Sequence, residues 1–127
     1  MNSERFNRGL KKLTAIDGDA GANVIETLKD VSPDLAQYTI EYAFGDIYSR
    51  PELDVRSREI ASIAALTALG FAIPQLKVHI NAGLNVGLSE TEIKEIIIQM
   101  SVYAGFPVAL NAMNAAKEVF NTRKVKP

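Results

Sequence analysis

Ser89-Glu90-Thr91-Glu92-Ile93-Lys94-Glu95-Ile96-Ile97-Ile98-Gln99-Met100 carries a helix start and a helix face in one stretch. Ser89 with Glu92 has the spacing of a capping box, in which each side chain satisfies a backbone N–H at the open end of a helix. Gly87, just before, can end the preceding helix with a positive φ. Ile93, Ile96, Ile97 and Met100 then recur at helical spacing and line one side.

The same period runs outward in both directions. Ala36, Ile40, Ala43 and Ile47 share a face, as do Ala109, Ala112, Met113, Ala116 and Phe120. Ser32-Pro33 supplies an N-cap followed by proline at the first helical position, where a missing N–H costs nothing. Gly105-Phe106-Pro107 ends one helix and begins another. The pattern predicts helices over about 3–15, 20–30, 33–48, 54–69, 74–86, 90–104 and 107–121, with short connections and no alternating strand pattern. The predicted fold class is all-α, a single domain over residues 1–127.

Composition narrows the function classes. The 127 residues are 47% hydrophobic and 23% charged with a formal net charge of −1, the balance of a globular protein that buries its own core. Basic residues cluster only at Arg123, Lys124 and Lys126, so no nucleic-acid partner is expected. The start of the chain, Met1 to Leu13, is charged and helical in pattern, unlike a secretory signal. Ile60 to Ile73 is free of charge but shorter than the roughly 20 residues a membrane-spanning helix needs. A cytoplasmic protein without a membrane partner is the expectation.

Two helices, 60–69 and 107–116, are rich in alanine and poor in large side chains. With Tyr38, Tyr42 and Phe44 expected at the surface, they point to faces covered by further copies, and hence to a homo-oligomer.

His79 is the only histidine, and there is no cysteine. His79 falls between Leu76, Ile80 and Gly83, and Glu59 falls in line with Ile63 and Leu66. An inward carboxylate and an inward imidazole are expensive to bury unless they pair or do chemistry. The plain alternatives are a core histidine bonded to a carbonyl and a Glu59 paired with Arg56 on its own helix. Should Glu59 and His79 face each other, they form an acid–base pair.

Gln75, one turn before His79, could hold a substrate carboxylate or carbonyl, or simply be a surface glutamine. Tyr103 projects with Gln99. Arg56 and Arg58 could neutralise an anionic substrate, or sit in surface ion pairs. Asn81 and Asn85 are adequately explained as solvent-exposed polar positions. No metal or other cofactor is expected: one histidine without cysteine leaves only carboxylates, and no helix has the Glu-x-x-His spacing.

Arg56-Ser57-Arg58-Glu59 followed by Ile63-Ala64-Ala65-Leu66-Thr67-Ala68-Leu69-Gly70 resembles the first core helix of the carboxymuconolactone decarboxylase family. Gln75-Leu76-Lys77-Val78-His79-Ile80-Asn81-Ala82-Gly83-Leu84-Asn85-Val86-Gly87 resembles its next helix, with the family histidine at His79. Ser89-Glu90-Thr91-Glu92-Ile93-Lys94-Glu95 and Tyr103-Ala104-Gly105-Phe106-Pro107 complete a likeness covering about residues 33–121. It implies a bundle of six to seven helices of the alkylhydroperoxidase D-like type, assembled as a trimer or hexamer. It also implies cofactor-free decarboxylation of a small carboxylated lactone to an enol-lactone. Face and spacing make His79 the expected acid–base group and Glu59 its orienting partner or proton reservoir, and both also match family positions. Face and spacing alone offer Gln75, Tyr103 or Arg56 to fix the anionic groups of the substrate.

Relatives similar to alkylhydroperoxidase D carry Cys-x-x-Cys just before the histidine. Here those slots hold Ala72 and Gln75, so thiol peroxidase chemistry is excluded. Two other readings stay open: a non-catalytic oligomer that binds a small ligand or a protein, and a different acid–base enzyme on the same scaffold.

Overall fold

The computed structural model describes residues 3–125. The readings made on Met1, at the start of the chain, and on Lys126 lie outside the described residues. Every described element is helical, and the chain divides into two compact units between Asp54 and Val55. No helix among the described residues is long and apolar enough to cross a membrane.

The first unit holds α1 (Glu4–Asp17), α2 (Ala20–Leu28) and α3 (Pro33–Tyr38). The last runs on without a break into a π-helical segment, Thr39–Ile47. Ser3 caps α1 by accepting from the Phe6 N–H at 3.0 Å, while its own hydroxyl donates to the buried Glu41. Ser32 caps α3 as its spacing predicts, with Pro33 in the first turn.

The π-helical segment corrects one reading of the sequence. A period of 3.6 puts Ala43 and Ile47 on the inner face and Phe44 outside. The hydrogen bonds of a π-helix reach one residue further, as from the Tyr48 N–H to the Ala43 carbonyl at 2.8 Å. The wider turn rotates the face, so that Ala36, Ile40, Phe44 and Tyr48 are buried while Ala43 and Ile47 are half-buried. Phe44 and Tyr48 stack with ring centroids 4.9 Å apart. Tyr38 and Tyr42 do remain exposed.

Two glycines let α1 lie directly on this segment. A Cβ on Gly9 would sit 2.1 Å from the Ile40 carbonyl oxygen, and one on Gly45 would sit 2.4 Å from that of Arg5. Arg5 and Arg8 both reach Asp46 at the edge of the contact.

The second unit is a four-helix assembly of α4 (Val55–Leu69), α5 (Ile73–Asn85), α6 (Glu90–Ala104) and α7 (Phe106–Val125). α4 packs on the other three, and α7 on both α5 and α6. The core is built from Ile63, Leu76, Ile80, Ile93 and Ile97, with Ala109, Ala112, Ala115 and Ala116 allowing α7 to approach closely. Phe120 closes its far end.

The capping box at Ser89 and Glu92 is present in full. Gly105, at φ +94°, is the single residue between α6 and α7, a conformation that penalises any side chain with a Cβ. α7 runs to Val125 rather than stopping near 121, because no proline or glycine interrupts it there.

One end of this unit is free of charge. Residues 60–76 and 96–116 contain no Asp, Glu, Lys or Arg. The α4–α5 turn lies against the start of α7, where a Cβ on Gly70 would come within 2.8 Å of Val108. Phe71 and Phe106, 77% and 74% exposed, stand out from that end together with Leu69 and Leu110.

Candidate active site

Glu59, Ile63 and Thr67 recur every fourth residue along α4 and form its innermost stripe. A glutamate at the head of that stripe is carried into the core by the packing of its apolar neighbours. Its side chain has no solvent exposure. On α5, Leu76, Ile80 and Gly83 face inward and set the rotation that turns His79 toward α4. The histidine side chain keeps 21% of its surface in solvent.

His79 Nδ1 and Glu59 Oε1 lie 2.8 Å apart. A carboxylate only accepts, so beside an ionised Glu59 the ring carries its proton on Nδ1. Nε2, on the opposite edge of the ring, then has the lone pair that can take up or return a proton. Glu59 thereby fixes both ring orientation and tautomer, the same service a carboxylate gives to histidines that act as bases or ligands. The other carboxylate oxygen, Oε2, is buried without a hydrogen-bond partner, as is Thr67 Oγ1 two turns along the stripe.

The alternative partner for Glu59, Arg56, goes elsewhere. Arg56 is half-exposed on the flank of α4 and pairs with Glu92, the capping-box residue of α6. Glu59 points inward, away from a cation that stays in water. The Ser89 N–H, followed by the Arg56 guanidinium, holds the Glu92 carboxyl below the usual carboxylate range. Beside this ion pair an open groove of about 410 Å³ runs between α4 and α6, lined by Ile60, Ala64, Ile96, Gln99 and Met100 among others.

Of the residues singled out in the sequence, the structure brings Glu59 and His79 together. Gln75, in the first turn of α5, stands exposed, and Tyr103, in the last turn of α6, is 77% exposed. Thr67 was not singled out, although its position eight residues after Glu59 on the same stripe could have shown that it is inward. Asn81 and Asn85 are more than solvent-facing polar positions, since both accept hydrogen bonds from Arg123.

The model of the carboxymuconolactone decarboxylase family matches residues 33–118. The chain is 36% identical to a 4-carboxymuconolactone decarboxylase of Acinetobacter baylyi, over 100% of this chain and 96% of the relative. It is 30% identical to a nitrosuccinic acid decarboxylase of Metarhizium robertsii, over 95% of this chain and 85% of the relative. An uncharacterised protein of Paracoccus denitrificans is 31% identical over 76% and 72% of the two chains. With a family match across most of its helices and a full-length relative at that identity, this chain belongs to the carboxymuconolactone decarboxylase family.

Proposed function

We propose that this protein is a decarboxylase of small carboxylated lactones or related organic acids, working by acid–base catalysis without a cofactor. The observation that carries the reading is the 2.8 Å contact between His79 and the fully buried Glu59. Two relatives whose names state decarboxylation support it.

In the proposed reaction the C–C bond to the carboxylate breaks, CO₂ leaves, and its electron pair passes into a conjugated carbonyl to give an enolate. Nε2 of His79 first takes up a proton from water, Glu59 steadies the imidazolium so formed, and Nε2 then delivers that proton to carbon, which returns the ring to its neutral form. Arg56, Gln75 and Tyr103 are proposed to meet the anionic groups of the substrate. Arg56 would have to exchange Glu92 for that ligand.

We also propose that both units form one functional domain, which is supported by a family match that spans their boundary. Assembly as a trimer or hexamer in the cytoplasm, with no nucleic-acid partner, completes the proposal. The exposed apolar end of the second unit supports the assembly.

The test is CO₂ release from 4-carboxymuconolactone by the purified protein and by His79→Asn, which keeps a polar side chain but cannot exchange a proton near neutral pH. The expected outcome is turnover by the parent and a loss of about 10²-fold or more in the variant. Equal rates for both would overturn the assignment of His79. Nitrosuccinate is the second acid to test, and no release by the parent from either acid would overturn the substrate class.

A further inference from the structure

Arginines in this chain mostly end on carboxylates: Arg5 and Arg8 on Asp46, Arg50 on Glu52, Arg56 on Glu92. Arg123, near the end of α7, is held differently. Its Nη1 donates to Asn81 Oδ1 at 2.6 Å and to Asn85 Oδ1 at 3.1 Å, two amides one turn apart on α5. Both partners are neutral, so the guanidinium is fixed in place while its charge stays uncompensated. Among the described residues, no carboxylate pairs with it.

This arginine lines a groove of about 380 Å³ between α5 and α7, together with Lys77, Asn81, Glu118, Val119 and Thr122. Lys77 and Glu118 pair with each other and cancel. The lining therefore carries one net positive charge beside an aliphatic side chain and a hydroxyl.

We infer that the α5–α7 groove is a binding site for a small organic monocarboxylate, gripped by Arg123. The rigid guanidinium fork matches the two oxygens of a carboxylate, and Nε and Nη2 are the donors not directed at the amides. Val119 offers contact to a short apolar tail, and Thr122 a hydroxyl to a carboxylate oxygen. A single net charge suits a monoanion better than a phosphate dianion set beside Glu118. The site is built from residues other than Glu59 and His79 and stands whether or not the proposed decarboxylation is correct.

The experiment follows butyrate by NMR at constant ionic strength, reading the Arg123 side-chain N–H and the Thr122 amide. The expected result is a saturable shift with a dissociation constant on the order of millimolar, as suits a small ligand in an open groove. Asn81→Asp separates a ligand site from a mere link between helices. It keeps the contact to Arg123 but neutralises the charge, so butyrate affinity should fall by about tenfold or more while the fold holds. Lys124→Gln, which removes a charge one residue along, should leave the affinity unchanged. Absence of saturation, unchanged affinity in Asn81→Asp, or phosphate binding at the same signals as tightly as butyrate would each overturn the inference.

Discussion

Glu59 reaches the core with both oxygens out of water and only Oε1 engaged, by His79. Removing the imidazole would leave a buried carboxylate with no partner at all, so His79→Ala should destabilise the protein by about 3 kcal/mol. Urea unfolding measures this, and Glu59→Gln added to His79→Ala should recover part of the loss because no charge then remains to be buried. Thr67 presents the opposite case. Its hydroxyl is buried and unpartnered, so Thr67→Val should be neutral or stabilising by about 1 kcal/mol in the same measurement. Both inward positions of the pair were legible in the sequence, since a polar residue keeping step with isoleucines and leucines must follow them inward. The partner of Arg56 was not. Glu92 lies 36 residues away, and only the packing of α4 on α6 brings it near.

Helix boundaries rest on local chemistry, which is why Ser32-Pro33, the capping box at Ser89 and the break at Gly105 could be read directly. The π-helical stretch could not, because hydrogen bonding to the fifth residue leaves no mark in the spacing of apolar residues until the true inner face is known. The ends of these elements also set an acid dependence. Glu92 is held low by the Ser89 N–H and then by Arg56, and Asp46 is held low chiefly by its hydrogen bond from Arg5. Groups whose folded value is depressed contribute fully above the ordinary carboxylate range, about 4, and lose that contribution as pH falls through the lower folded value. Stability should therefore decline below that range. In Glu92→Gln the decline should be shallower, as read by thermal unfolding across an acid pH series.

For the molecule as a whole, the helical class and most of the element order were legible because every segment outside the π-helical one obeys one period, and most are separated by strong breakers. The surface was less so. Alanine-rich stretches hint at close packing, but whether a neighbour is another helix of the same chain or of another copy depends on tertiary structure. α7 spends its alanines on the core of its own unit. The hydrophobic excess lies instead at the end bearing Leu69, Phe71, Phe106 and Leu110. With no charge in residues 60–76 or 96–116 to oppose it, that end should bring copies together, and light scattering should give a mass above one chain. It also makes dilution a variable of the system in its own right. Mass action links assembly to folding, so the unfolding temperature should climb with protein concentration, and a melting point given without one describes an incompletely specified state.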